Sequence, residues 1–248
     1  MTQFAYQLYG SRNFTPWSSV FTMLASAGYT SVEGFGPLYD NVEQTAADLK
    51  AAGLTMSSAH MSLEMLEQEP DTVKHLIKVL ELQNVYCPYL DESMRPDSVD
   101  GYTKLGQRLE QAGQVARDAG CGFGWHNHDF EFQALDDGSM PLQRIFEGGP
   151  SLEWEADLAW IARGGADVLE WVERYSDRIS AVHIKDIAPE GESLDEDGWA
   201  DVGQGVLDWK AWLPSLQARS IRHFIMEHDN PSDHARFAKN AITYCQSI

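Results

Sequence analysis

Eight short apolar runs, each followed by a stretch of helical period, set the strongest limit on how this 248-residue chain can fold. The runs are FAYQLYG (4–10), SVEGFG (31–36), TMSSAH (55–60), NVYCPYL (84–90), CGFGWHNH (121–128), LEWEADL (152–158), ISAVHIKD (179–186) and HFIMEHD (223–229). In PWSSVFTMLASAG, Trp17, Val20, Phe21 and Leu24 fall at i, i+3, i+4 and i+7 and the pattern stops at Gly28. NVEQTAADLKAAG starts on an Asn cap and ends at Gly53. PDTVKHLIKVLELQ, the long SVDGYTKLGQRLEQAGQVARDAG and the closing SDHARFAKNAITYCQ read the same way. This order predicts an α/β fold, a (β/α)8 TIM barrel, as a single domain over residues 1–248. A doubly wound sheet would carry a Gly-rich phosphate turn after its first strand, but LYGSRNF holds one glycine and no G-x-G-x-x-G. The helix after CGFGWHNH reads as short or broken, because EFQALDDGSMPLQRIFEGG contains Gly and Pro. Residues 188–210 read as an acidic, Gly-rich loop, and long loops of barrels tend to carry function.

Charge narrows the partners. The formal net charge is −20, from 38 acids against 18 Lys plus Arg. Affinity for nucleic acid rests on cationic contacts to phosphate, so neither nucleic acid nor an anionic membrane is expected as a partner. The start MTQFAYQLYG lacks the basic and long apolar regions of a signal peptide, and no apolar run is long enough for a membrane span. Cys87, Cys121 and Cys245 are odd in number and far apart, which predicts free thiols in a cytoplasmic protein.

The polar residues gather at strand ends. Alternate residues of a barrel strand point inward, and those at the C-terminal end face the site. His126 and His128 share one parity at the fifth run, with Gly122 and Gly124 leaving room beneath. Glu153, Glu155 and Asp157 share one face of the sixth, Ala181, His183 and Lys185 one face of the seventh, and His223, Ile225, Glu227 and Asp229 one face of the eighth. Four consecutive strands thus deliver His126, Asp157, His183 and Glu227 at similar heights. This nitrogen and oxygen set suits a divalent metal ion, with Mn²⁺ placed first and Co²⁺, Zn²⁺, Fe²⁺ or Mg²⁺ as alternatives. Any one of these residues alone reads more readily as a hydrogen-bonded structural residue, but burying so many ionisable groups without a cation is costly. Trp125, Trp154 and Trp160 read as core and rim.

The motifs WHNHDFEF, EADLAWIARGGAD, AVHIKDI, DVGQGVLDW and IMEHD, in this order, resemble the sugar phosphate isomerase/epimerase family. This family belongs to the xylose isomerase-like barrel superfamily, with tagatose epimerases, inosose dehydratases and apurinic endonucleases. The resemblance implies a divalent metal at the barrel mouth, held by one residue from each of strands five to eight. Asp157 of ADLAW, His183 of VHIKD and Glu227 of MEHD match its Asp, His and Glu ligands. Its fifth-strand ligand is usually a glutamate that also moves protons, and His126 stands in that place here. A metal-bound imidazole cannot take up a substrate proton. The resemblance therefore implies a one-base isomerisation, or an elimination beside a carbonyl, in place of a symmetrical two-glutamate epimerisation.

The expected activity is a metal-dependent isomerase or epimerase of a sugar or keto-sugar, acting by proton abstraction next to a carbonyl through an enediolate. A lyase or dehydratase of a keto-sugar or inosose is the alternative, and a non-catalytic sugar-binding barrel the third reading. Catalytic candidates are Glu227, His128 and Glu155, with Glu131 a further base. Glu33, His60, Lys185 and Arg163 are expected to bind substrate, the first two through hydroxyls across the mouth. The partner is a small sugar or polyol, and a homo-oligomer remains open.

Overall fold

Each apolar run becomes one strand of a closed barrel. The computed structural model describes residues 3–248, so the first two residues of the expected domain lie outside the described residues. The elements run β1 (Phe4–Gln7), α1 (Trp17–Ala27), β2 (Ser31–Gly34), α2 (Val42–Ala52), β3 (Thr55–His60), α3 (Leu63–Gln68), α4 (Pro70–Leu80) and β4 (Asn84–Cys87). They continue with α5 (Val99–Ala112), α6 (Gln114–Asp118), β5 (Gly122–His126), α7 (Pro141–Gly148), β6 (Glu153–Asp157), α8 (Leu158–Arg163), α9 (Val168–Arg174) and β7 (Ile179–Ile184). Last come β8 (Asp186–Ile187), β9 (Trp199–Ala200), α10 (Trp209–Gln217), β10 (His223–Met226) and α11 (His234–Ser247). Eight strands close in the order β1-β10-β7-β6-β5-β4-β3-β2, every pair parallel. This is a (β/α)8 barrel.

Strand parity sorts the side chains. Val32, Val85, Phe123, Trp154, Val182 and Phe224 point out and share one buried apolar cluster with helix residues such as Leu24, Leu76 and Leu109. The lumen is different. Its apolar layer is only Ala5, Tyr86, Ala181 and Ile225. Below that layer His223 and Asn84 hydrogen-bond at 3.2 Å, and Asn84 donates to Glu153 at 2.6 Å. Two register irregularities, between Val32 and Glu33 and between Trp154 and Glu155, skip Ser57 and Ser180 on the partner strands. A bulge of this kind re-aims the residues beyond it on the strand that carries the extra residue, and His60 of β3 and His183 of β7 lie beyond Ser57 and Ser180.

The sequence signals for helix ends hold where the chemistry is local. Asn41 accepts from Gln44 N, and Gly28 and Gly53 take left-handed conformations at the ends of α1 and α2. The stretch 98–120, which reads as one helix, is two, joined at Gly113. A Cβ on Gly113 would stand 2.1 Å from the Phe123 ring of β5, a tertiary contact that periodicity cannot show. Among the described residues, no helix is long and apolar enough to cross a membrane.

Helices α5 and α7 pack through two glycines. A Cβ on Gly106 would meet Ile145 O at 2.1 Å, and one on Gly148 would meet Thr103 O at 2.0 Å. Helix propensity alone predicts that Gly106→Ala gains about 1 kcal/mol. Contact with a backbone atom reverses the sign, and the variant is expected to lose about 1–3 kcal/mol. Urea unfolding measures this, and a stabilised Gly106→Ala would mean that the two helices can move apart.

Candidate functional site

A cavity of about 1010 Å³ opens at the C-terminal ends of the strands. His60, His126, His128 and Glu227 line it. Donor atoms of His126, Asp157, His183 and Glu227 all lie within 4.8 Å of one another, and all four side chains are buried. A second group, His60, His126, Glu155 and His183, meets the same limit and shares two histidines with the first. The donor set fits a divalent cation. Asp157 Oδ2, Glu155 Oε1 and His126 Nδ1 are buried without a hydrogen-bond partner, which is expensive unless a cation takes their lone pairs. His183 presents its two nitrogens to different neighbours. Nδ1 lies 2.9 Å from Glu227 Oε2 and 3.9 Å from Asp157 Oδ2, while Nε2 lies 2.8 Å from Glu33 Oε1. A carboxylate on the far nitrogen orients a metal-binding imidazole, and Nδ1 is the nitrogen that could hold a cation here.

The carboxylates beneath are wired together. Gln7 Nε2 donates to Glu33 Oε1 at 2.7 Å. His60 Nε2 lies 2.6 Å from Glu155 Oε2 and 3.2 Å from Glu33 Oε1. Burial opposes charge on His60, but Glu33 and Glu155 outweigh it and raise the imidazole to about 10. Burial likewise works against ionised Glu33, yet His60 and His183 hold it well below the ordinary carboxylate range. Glu155 goes the other way, pushed up by burial and then by Glu33. Burial drives Asp157 up to about 7 against the pull of Lys185. For Glu227, Lys185 and His183 overcome burial and hold the carboxyl well down. Lys185 is fully buried, its Nζ 2.5 Å from Asp229 Oδ2, 3.3 Å from Glu227 Oε2 and 3.9 Å from Asp157 Oδ2.

The sequence matches the model of the xylose isomerase-like TIM barrel over residues 21–246. The chain belongs to the xylose isomerase-like TIM barrel family. Its fold is similar to that of a sugar phosphate isomerase/epimerase from Parabacteroides distasonis, at 20% identity and TM-score 0.78, over 98% of this chain and 92% of that one. A 3-keto-D-glucoside 4-epimerase from E. coli aligns over 100% of both chains at 16% identity and TM-score 0.74. A probable 3-DHS dehydratase from Bacillus anthracis aligns over 99% of both at 11% identity and TM-score 0.74. No curated protein matches the sequence.

In this xylose isomerase-like barrel the WHNHDFE stretch explains itself atom by atom. Asn127, between the two histidines, accepts from Trp154 Nε1 at 2.8 Å and from Asp157 N at 3.1 Å, and donates to Asp157 O at 3.1 Å. It locks the end of β6 to the end of β5. Asp157 Oδ1 then caps α8 by accepting from Trp160 N, which leaves Oδ2 for the cluster. Glu131 accepts from Trp125 Nε1 and His128 N and fixes the turn. Burial raises its carboxyl to about 8. His128 lines the cavity, and burial, then Lys185, lowers it to about 3, so the ring is neutral at ordinary pH.

Other expected residues sit further back. Glu155 is fully buried under the histidines and is absent from the cavity wall, as is Lys185. Glu33 lies in the same lower layer and reaches the cavity only through His60. Arg163 donates to the carbonyls of Asp197 and Gly198 at 3.0 and 3.1 Å and lies 3.4 Å over the Trp199 ring. It therefore clamps the loop after β7 and is not part of the cavity wall. That loop contains the hairpin β8–β9, and Asp186 holds it by accepting from the backbone N–H groups of Ile187, Gly203, Gly205 and Leu207. Gln7, Asn127 and Asp186 escape sequence reasoning, and Asp229 is placed on its strand's inward face without a role. The one available signal for Gln7 is that it shares the inward parity of its strand end.

The protonation pattern has a testable consequence. Burial opposes charge on His183, but Glu155, Glu227 and Glu33 raise it well above the usual histidine range. A cation must displace that proton, because only a neutral imidazole binds metal. Affinity should therefore rise with pH, and fall further below about 7 as Asp157 gains its proton. Titration calorimetry with Mn²⁺ at neutral pH, in buffers of different ionisation enthalpy, is expected to show release of roughly one proton per metal. No release would mean that His183 is neutral before the metal arrives.

Proposed function

We propose that this protein is a divalent-metal-dependent isomerase or epimerase of a keto-sugar or cyclic polyol, acting by proton abstraction beside a carbonyl. The observation that carries the reading is the convergence of His126, Asp157, His183 and Glu227 within 4.8 Å of one another beside the cavity that His126 and Glu227 line, with an unpartnered Asp157 Oδ2. These four would hold the cation, Mn²⁺ before the others, given the mixture of two imidazoles and two carboxylates. When bound, the cation supplies Lewis-acid stabilisation of the negative charge that develops on the carbonyl oxygen.

The chain's own groups do the rest. Glu227 Oε2 accepts from Lys185 and faces His183 Nδ1, on the side where the cation would be held, which leaves Oε1 to accept the carbon-bound proton. Lys185, enclosed by Asp157, Glu227 and Asp229, holds those carboxylates in place. Neutral His128 accepts or donates one hydrogen bond to a substrate hydroxyl. Glu155 and Glu33 position His60 and His183 from below and do not touch substrate. One base on one face of the substrate favours isomerisation.

One observation supports elimination as the second reading. His60 lines the cavity as an imidazolium, and a proton donor there can assist a leaving hydroxyl. The fold likeness to an epimerase and to a probable dehydratase supports both. The net charge of −20 speaks against a nucleic-acid substrate, and three buried free thiols fit a reducing, cytoplasmic setting. The test is incubation of Mn²⁺-loaded protein with a panel of keto-sugars in D₂O. Deuterium uptake next to the carbonyl is expected, with loss of water separating the two readings. No uptake and no product across the panel, with metal shown to be bound, would end both.

A further inference from the structure

The cavity has two unlike halves. His126 of β5 and Glu227, just after β10, line it on one side with Asp157 and His183 buried beside them, while Tyr9, Phe35, Met65, Tyr89 and Met94, from the segments after β1 to β4, line it as well. Tyr9, Tyr89 and Met94 are 39%, 43% and 54% exposed, and they make up three of the six exposed large hydrophobic side chains among the described residues. Solvated apolar surface is therefore concentrated at this mouth, where a ligand can cover it. Tyr9 packs edge-on against Phe35 at 5.4 Å, and Tyr89 packs edge-on against His128 at 5.2 Å, so the apolar wall is continuous with the site. The volume of about 1010 Å³ reaches the top of the range for drug-sized ligands, roughly 300–1,000 Å³, and a single sugar ring leaves most of it empty.

The charges exclude one way of filling it. Two arginines line the cavity. Arg108 is held by Glu67 through two hydrogen bonds of 2.5 and 2.7 Å. Arg12 donates through Nη1 to the carbonyls of Tyr9 and Asp229 and lies 4.0 Å over the Tyr9 ring. Carboxylates of Glu64, Glu67, Asp91, Asp197, Glu227 and Asp229 line the same space. A phosphate ester would meet net repulsion from these carboxylates, and Arg12, which has no carboxylate partner among the described residues, is turned onto backbone carbonyls and the Tyr9 ring.

We infer that the substrate is an uncharged sugar carrying an apolar, ring-bearing substituent. The sugar ring lies over the metal donors, and the substituent stacks on Tyr9, Phe35, Tyr89 and Met94. The placement of the sugar ring rests on the function proposed above, whereas the apolar wall and the charge balance do not. The test uses Mn²⁺-loaded protein and measures affinity for phenyl glucosides, methyl glucosides and glucose 6-phosphate. Phenyl glucosides are expected to bind at least tenfold more tightly than methyl glucosides, and glucose 6-phosphate most weakly. The double variant Tyr89→Ala/Met94→Ala is expected to bring the phenyl-to-methyl ratio within about threefold, with metal content unchanged. Equal affinities, tightest binding of the phosphate, or a preference that survives the double variant would overturn the inference. Failure of all the glucosides alongside deuterium uptake by a free keto-sugar would overturn it too and leave the proposed reaction standing. A phenyl preference without any deuterium uptake would uphold the apolar wall and remove the reaction.

Discussion

Glu227→Gln is expected to slow deuterium uptake by about 10²–10⁴-fold at saturating Mn²⁺. The amide keeps the shape of the side chain and can still offer an oxygen to a cation, but it cannot accept a proton. Glu227 stands at the cavity floor with one oxygen bound to His183 and Lys185. Excess metal is essential to the measurement, because losing a negative ligand also weakens metal binding. A rate within threefold of the parent at full metal occupancy would move the base elsewhere, and His128 would be the next residue to replace.

Lys185→Met is expected to cost about 3–5 kcal/mol of stability. The methionine follows the lysine's unbranched path to Cε but leaves Asp229, Glu227 and Asp157 without the ammonium that sits among them. Burial opposes charge on Lys185, and Asp229 and Glu227 nevertheless raise its pKa, so the ammonium is retained at all ordinary pH. At about 2–4 °C per kcal/mol for a chain of this size, the melting temperature should fall by roughly 6–20 °C. A shift below 2 °C would show that water reaches these carboxylates and screens them.

The barrel and the clustering of His126, Asp157, His183 and Glu227 are legible because strand parity is a local rule. His126, Asp157, His183 and Glu227 each end a run whose neighbours alternate, so their common face can be read without knowing the fold. Glu33 and His60 also lie at strand ends, but parity alone leaves their depth open. The structure sets Glu33 below the histidines, where it faces His183 and His60 and not the open mouth. The extra residues Ser57 and Ser180 shift how His60 and His183 stand relative to Glu33 and Glu155, and a one-residue bulge has no signature in composition or period. Arg163 is expected from the sequence to bind substrate. Its partners are carbonyls and an indole some 35 positions later, a contact no local pattern encodes. Asn127 was hidden for a related reason. An asparagine between two histidines is conspicuous, but its partners Trp154 and Asp157 belong to another strand.

Asp186 gathers four backbone N–H groups, from Ile187 to Leu207, onto a single carboxylate. The stretch it encloses is thus anchored at its two ends by one side chain that lies outside the ligand cluster. Such a segment behaves as an exchangeable module. Residues 189–194 can be lengthened, shortened or replaced while Asp186, the pairing of buried Glu196 with Arg236 and the barrel stay in register, beside Asp197 on the cavity wall. The surface on that side of the mouth can be redesigned, or can drift, without rebuilding the buried cluster of histidines and carboxylates.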